Sequence, residues 1–324
     1  MRVLVIGGGG YIGAHMSRLL AQTGHEVVVL DNLSTGHRAA VKWGILEHAS
    51  MSDADRLRTL LDTCRFDAVM HFAAASLVGE SVADPLKYYR NNVADVVTLL
   101  ETMRWAGVFR LIFSSTAAVF GVPQQDLIDE HHPLRPINPY GVSKLAVERM
   151  LADCSAAYGM RAAALRYFNA AGAEAEFGIG ESHSPETHLI PRLLRKAAGE
   201  DIDVQIFGND YPTADGTCVR DYIHVSDLCQ AHLLALEFLG SNEGFHAFNL
   251  GNGKGYSVKQ VVSAAESVIG RSLGIKATTR RPGDPARLVA SSDKACSQLG
   301  WRPQQASLEQ IVESAWRWHQ RPAY

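Results

Sequence analysis

The chain has 324 residues, 47% of them hydrophobic, and a formal net charge of −3, which suits a large α/β core and gives nucleic-acid or membrane-surface binding no electrostatic support. Its five cysteines (Cys64, Cys154, Cys218, Cys229 and Cys296) form no C-x-x-C pair and suggest no disulfide framework, as in a reducing compartment. No apolar run reaches the roughly 18 residues of a membrane span, and "MRVLVIGG" leaves no room for a signal peptide before structure begins, so a cytoplasmic protein is expected.

A β-branched run at residues 3–6 predicts a first strand, and a helix follows over 12–21. Further strands are expected at 26–30, 67–70, 111–113 and 162–165, separated by helical stretches. Continuous apolar strands alternating with helices indicate a parallel sheet covered on both faces. Helices are expected at 189–198, 225–239, 258–269 and 308–319, with turns at 251–253 and 281–284 between them. A domain boundary is expected near Ala170, where "NAAGAEAEFGIGESHSPETH" reads as a long loop, and loops of that length are more often functional than decorative.

Between the first strand and helix lies G-x-x-G-x-x-G at Gly7, Gly10 and Gly13. Glycines allow a tight turn and a close approach of pyrophosphate to the backbone, while the helix N-terminus offers free N–H groups to phosphate. The second strand ends at Asp31, whose carboxylate suits the ribose hydroxyls of NAD and repels the 2′-phosphate of NADP. Farther on, "NPYGVSK" sets Tyr140 and Lys144 four residues apart, on one face of a helix. Thr116 follows the strand ending Phe113-Ser114-Ser115, at the carboxyl edge of the sheet where ligands bind. A strand-end threonine capping a turn is the alternative there.

With these motifs, the chain resembles the extended short-chain dehydrogenase/reductase family and, within it, the UDP-glucose 4-epimerase branch. The resemblance covers almost the whole length. It rests on "GGGGYIGAH", "LDNLSTG", "HFAA", "VGESV", "YYRNNV", "FSSTAAVFG", "NPYGVSK", "LRYFNAAGA", "FNLGNG", "RRPGDPA" and, most specifically, "IFGNDYPTADGTCVRDYIHVSDL". It implies a Rossmann-type doubly wound parallel sheet with a smaller α/β substrate-binding domain. Residues 1–170 would form the NAD-binding domain and 171–324 mainly the UDP-sugar domain, with about 222–250 returning to the first.

The activity implied is interconversion of UDP-glucose and UDP-galactose through a 4-keto sugar, with NAD as cofactor. Cofactor contacts are expected at Gly7, Gly10, Tyr11, Ile12, Gly13, Asp31, Asn32, Ser34, Gly36 and Ser50. Phe72, Ala73, Ala74, Asn92, Ser114 and Tyr167 complete that set together with Tyr140 and Lys144. The sugar nucleotide is expected on Thr116, Tyr140, Phe168, Asn169, His188, Leu189, Val204 and Gln205. Phe207, Arg220, Arg281, Asp284 and Leu288 complete it, with Phe207 suited to pack on uracil and the arginines on the diphosphate. A homodimer is implied, joined through residues 85–106 and 140–158 of each subunit.

Tyr140, Lys144 and Thr116 are the expected catalytic residues. An unperturbed tyrosine titrates near 10, so acting as a base at neutral pH needs a fall of about three units, roughly 4 kcal/mol. Lys144 and the nicotinamide ring would each favour phenolate. Two departures from the family pattern are Ala49, where an adenine-binding Asp is usual, leaving Ser50 or backbone to that contact, and Ser76, where a lysine is common. A third is Phe120 in place of a tyrosine. The rivals are a sugar-nucleotide dehydratase or decarboxylase, a 4-epimerase of UDP-N-acetylglucosamine, UDP-xylose or UDP-glucuronate, and a non-catalytic NAD(H)-binding regulator. Ala117-Ala118 speak against the first, which needs an acid after the threonine. Leu288 stands where the family varies a residue beside the sugar, and predicts a pocket that is intermediate or open, with activity on UDP-N-acetylglucosamine as well as UDP-glucose. No metal is expected, since the 13 histidines show no H-E-x-x-H spacing and His131-His132 falls in a loop. Arg220-Asp221 is left as either a diphosphate site or a structural ion pair.

Overall fold

The structure is a computed structural model that describes residues 1–281 and 284–324; the middle of the expected 281–284 turn lies outside them. Its first half runs β1 (Arg2–Ile6), α1 (Tyr11–Gln22), β2 (Glu26–Asp31), β3 (Ile45–His48), α2 (Ala54–Cys64), β4 (Ala68–His71) and α3 (Val78–Ala83). Next come α4 (Pro85–Tyr89), α5 (Asp95–Trp105), β5 (Arg110–Ser114), α6 (Pro139–Tyr158) and β6 (Arg161–Tyr167). The second half adds β7 (Asn169–Ala171), α7 (Leu189–Ala197), β8 (Gln205–Phe207), β9 (Val219–Arg220), β10 (Tyr222–His224) and α8 (Val225–Phe238). It ends with β11 (Phe245–Leu250), β12 (Tyr256–Ser257), α9 (Val258–Ile269), β13 (Lys276–Thr278), β14 (Arg287–Leu288), α10 (Asp293–Gln298) and α11 (Leu308–Gln320).

Seven strands form one parallel sheet in the order β11-β6-β5-β4-β1-β2-β3. Successive residues of a strand face opposite sides. Val3 and Val5 therefore pack into one core with Met16 and Leu20 of α1 and Leu228 and Leu236 of α8. Leu4 and Ile6 enter another, with Leu57 of α2, Leu99 of α5 and Leu151 of α6. Burial on both sides is why these strands are apolar without alternation. The chain order reverses between β1 and β4, which creates a crevice at the carboxyl ends of these two strands.

Among the departures from the expected elements, three bear on the site or the sheet. β3 went unread because it is the sheet's edge, with Ile45 exposed and no apolar run to betray it. The 85–106 helix is interrupted by a π-helical turn over Arg90–Ala94, between α4 and α5. The long loop after Ala170 also holds β7, which pairs with β10. Farther along, α7, α9 and α11 close a third core with β8 and β10. Ser257 with Gln260 and Ser307 with Gln310 form reciprocal caps that give α9 and α11 sharp starts. Among the described residues no helix is long and apolar enough to cross a membrane.

Candidate active site

The glycine turn is built for close approach. Gly7 has φ +83°, and a Cβ there would stand 2.5 Å from the Ala73 nitrogen. At Gly13 it would stand 2.1 Å from the Gly7 carbonyl oxygen, so α1 begins pressed against the turn. Gly10 precedes α1 with no side-chain cap, which leaves the first N–H groups facing the crevice rather than a hydroxyl or carboxylate. Phe72 and Ala73 both donate backbone N–H to the Ile6 carbonyl, and so bring the end of β4, with Ala74 next in line, beside Gly7.

Asp31 accepts from Gly9 N–H and Leu33 N–H, each at 2.8 Å, which fixes its carboxylate at the end of β2. Asn32 accepts from Ser34 N–H, and Gly36 lies where a Cβ would meet the Gly9 backbone at 2.9 Å. The Ser50 hydroxyl is bonded to that of Ser52. The Tyr11 hydroxyl donates to the Gly172 carbonyl at 2.6 Å, so the residue offers the crevice only its backbone, like Ile12. A tight, uncapped cradle followed by a fixed carboxylate fits the pyrophosphate and ribose of a dinucleotide.

Asn138 caps α6 by accepting from Gly141 N–H at 2.9 Å, and Pro139 supplies the pre-set first turn. Tyr140, Lys144 and Glu148 then share one face. The buried Lys144 ammonium donates to the Ser114 carbonyl at 2.9 Å and sits 4.7 Å from the centre of the Phe113 ring. Burial lowers its pKa to about 7, against a smaller upward pull from Glu148. Burial raises Tyr140, and the neighbouring Thr116 hydroxyl draws it partly back. The side chains alone thus leave the phenol protonated at neutral pH. Thr116 serves twice: its hydroxyl faces Tyr140 and also caps the next turn by accepting from Ala118 N–H. Ser114 and Tyr167 share a hydroxyl–hydroxyl bond beside them.

The π-helical turn gives Asn92 its place. Its side-chain oxygen accepts from Ala75 N–H at 2.9 Å, and its NH2 donates to the Ala75 carbonyl and to the Ser143 hydroxyl. Thus the loop after β4 is tied to the first turn of α6, and π turns recur at functional sites for such purposes. Two residues were not anticipated, Ser143 in this network and Glu148, which pairs with Arg166 and Ser115 below Lys144. Glu148 was discoverable, since it lies four residues beyond Lys144 on the same face.

Side chains of the second half approach the Thr116 turn. Leu288 of β14 stands in register with Arg220 of β9 and packs near Phe168, Val119 and Phe120, so it bridges the Thr116 turn and the arginine. Arg220 is ion-paired with Asp284. The Arg281 guanidinium lies 3.8 Å from the centre of the Phe207 ring, the ring expected to meet uracil, and covers one of its faces. Asn169 donates its amide to the Asp221 carbonyl. The Arg220-Asp221 ion pair is not formed: Asp221 is fully buried and accepts from the N–H groups of Asn252, Gly253 and Ala290. Val204 points into the α7/α9/α11 core, and the Gln205 amide is bonded to Asp203, so neither presents its side chain as expected.

Leu189 opens α7, and His188 immediately before it is half exposed. Its ring nitrogen belongs to a group with Glu181, His183 and Glu186, whose candidate ligand atoms all lie within 4.8 Å of one another. The expectation of no metal weighed helical spacing and the pair His131-His132. His132 is indeed structural, accepting from Gln124 N–H. These four residues form the loop pattern E-x-H-x-x-E-x-H, which lies outside the helical spacing used for that expectation.

A family model described as the NAD dependent epimerase/dehydratase family matches residues 3–251. The chain belongs to that family. It is 51% identical to a UDP-glucose 4-epimerase of Halalkalibacterium halodurans, over 98% of this chain and 96% of that one. Among solved structures, it is similar to UDP-glucose 4-epimerase from Brucella ovis in complex with NAD, with TM-score 0.94, 46% identity and 97% of each chain covered. It is also similar to the UDP-Glc/GlcNAc 4-epimerase of Campylobacter jejuni, with TM-score 0.87, 42% identity and 99% of each chain covered. Epimerases of this family use NAD, and the glycine cradle and Asp31 supply the fit.

Proposed function

We propose that this chain interconverts UDP-glucose and UDP-galactose by removing and returning hydride at sugar carbon 4. The observation that carries the reading is the meeting of Tyr140, Thr116 and Lys144 at the end of β5, beside the β1–β4 crevice. The relatives that match over nearly full length supply the substrate class. NAD, when bound, provides the hydride acceptor and donor. Gly7, Gly10 and Gly13 would hold its pyrophosphate, Asp31 its ribose, and Asn32, Ser34, Gly36, Ser50, Phe72, Ala73 and Ala74 the rest of the adenosine end.

In this reading, Tyr140 takes the proton of the 4-hydroxyl as the carbon is oxidised, and returns it when carbon 4 is reduced from the other face. Thr116, beside the phenol, orients the reacting oxygen. Lys144 holds the nicotinamide ribose and contributes positive charge. Burial raises the phenol in the chain alone, and NAD, when bound, would supply positive charge that favours phenolate beside Lys144. Arg220 and Arg281 grip the diphosphate, Phe207 packs on uracil, and Asn169 and Leu189 complete the hold. The sugar itself is held loosely enough to turn over between hydride removal and return. The same reading assigns dinucleotide binding to residues 1–170 and UDP-sugar binding mainly to 171–324, in a cytoplasmic homodimer. A dehydratase is disfavoured because the turn after Thr116 is Ala117-Ala118 and offers no acid.

Incubation of purified protein with UDP-galactose and no added cofactor should yield UDP-glucose, and denaturation should release NAD(H) rather than NADP(H). Tyr140→Phe should retain the bound cofactor and lose at least the roughly 10²-fold expected from a missing general base. Near-normal turnover of that variant would remove Tyr140 from the mechanism.

A further inference from the structure

We propose that Glu181, His183, Glu186 and His188 form a divalent-metal site of the zinc type, which clamps the segment leading into α7. The inference does not rest on the catalytic residues, although His188 is also among those expected to meet the sugar nucleotide. The His188 ring nitrogen Nδ1 stands 2.7 Å from a Glu181 oxygen and 3.1 Å from a Glu186 oxygen. His183 Nδ1 stands 3.1 Å from Glu181 and 3.6 Å from Glu186. A tetrahedron with ligand bonds of about 2.0–2.1 Å has edges of about 3.3 Å, and the three separations that use one oxygen of each glutamate, 2.7, 3.1 and 3.1 Å, fall just short of it. Side-chain rotation alone has to close the remaining pairs, which start no more than 4.8 Å apart.

The donor chemistry selects the metal. Two imidazoles and two carboxylates suit zinc or its first-row neighbours, while calcium and magnesium prefer all-oxygen shells. Charge points the same way. The carboxylates of Glu181 and Glu186 are only 5% and 3% exposed, so two facing negative charges have lost most of their water. They require positive charge nearby. Two protonated imidazoles can provide it, but one divalent ion provides the same charge at a single centre and displaces those protons. The histidines, 34% and 50% exposed, leave a path from solvent.

The surrounding bonds hold the ligands in place. The Glu181 carbonyl accepts from the Trp318 indole at 2.9 Å, and His188 N–H donates to Glu186 at 2.8 Å. The neighbouring Gly180 is bonded to the Tyr324 hydroxyl. The cluster thus joins the loop after β7, the start of α7 and the chain's C-terminal end. Outer bonds of this kind orient metal ligands.

The test uses the tag-free full chain with its cofactor, stripped with a chelator, dialysed, and exposed to Zn2+ alone. Elemental analysis should find one tightly held ion per chain, and Co2+ in its place should show tetrahedral ligand-field absorption without the thiolate charge-transfer band of a cysteine site. Melting temperature should rise with Zn2+ concentration. His183→Ala should abolish the absorption and the melting shift. Glu186→Gln, which keeps the shape, should weaken binding by more than the roughly 10–100-fold that loss of an outer-shell partner costs. No uptake by the wild type, or equal uptake by wild type and both variants, overturns the site and leaves two imidazolium–carboxylate pairs.

Discussion

At the scale of single residues, Lys144 carries a conflict between stability and function. Burial lowers its pKa from 10.5 to about 7. Between those values the unfolded chain binds a proton that the native one does not, so native stability rises with pH across that window. Below pH 7 the cost of the buried charge is present in full. Lys144→Met should therefore melt above the wild type at pH 7, and the gap should close as pH approaches 10, while turnover is lost. Melting below the wild type at pH 7 would show that the bond to the Ser114 carbonyl outweighs burial. Leu288 makes the other residue-scale prediction. It is partly buried against Phe168 and the Thr116 turn, and it is shorter than a tyrosine would be there. The protein should accept UDP-N-acetylglucosamine as well as UDP-glucose, and Leu288→Tyr should cut the first selectively, because packed sites deform little and overpacking costs roughly 1–3 kcal/mol. An unchanged ratio of the two rates in the variant would assign the limit to another residue.

At the scale of elements, α5 and α6 present apolar side chains to solvent. Trp105 is 60% exposed and Tyr158 45%, and the Arg104 guanidinium stacks over the Tyr158 ring to hold the two helix ends side by side. On α4, Leu86 is 71% exposed. Exposed apolar groups gathered on neighbouring helices mark an interaction surface. In the proposed homodimer these helices meet their copies, so light scattering at micromolar concentration should give twice the chain mass. Leu86→Glu with Trp105→Glu should shift it toward the monomer, while a monomeric wild type would discard the assignment. The π-helical turn between α4 and α5 has a different task, since it turns Asn92 inward to Ala75 and Ser143. A regular helix would place that residue elsewhere on its face.

At the scale of the whole molecule, one buried ion pair supports the site from below. Glu148 of α6 and Arg166 of β6 are 2% and 4% exposed, and Ser115 donates to the same carboxylate. The pair connects the catalytic helix to the sheet, and it keeps a negative charge near Lys144. Removing one member strands the other, which costs on the order of 3–5 kcal/mol. Glu148→Gln should lower the urea midpoint by a matching amount with the slope unchanged. A change of a few tenths of a kcal/mol would mean that water or a neighbour takes over the arginine. Arg166 already has one buried nitrogen without a partner, which argues for the larger loss.

The sequence by itself determined what depends on neighbours along the chain. The β1 run, the glycine turn, Asp31 at the end of β2 and the Asn138-Pro139 start of α6 are all legible because sterics, capping and helical period act over a few residues. The same holds for Tyr140 above Lys144. Tertiary structure alone decided which distant groups meet. Arg220 pairs with Asp284, 64 residues away, while its neighbour Asp221 turns inward to three backbone N–H groups. Asn92 reaches the site through a π turn that no periodicity signals. Edge strand β3, with little apolar burial, leaves no pattern to read. The two glutamates and two histidines before α7 follow no regular element, and their convergence depends on where Trp318 and Tyr324 hold that loop. Local preference sets the conformation of a segment, but a partner is chosen by packing across the whole fold.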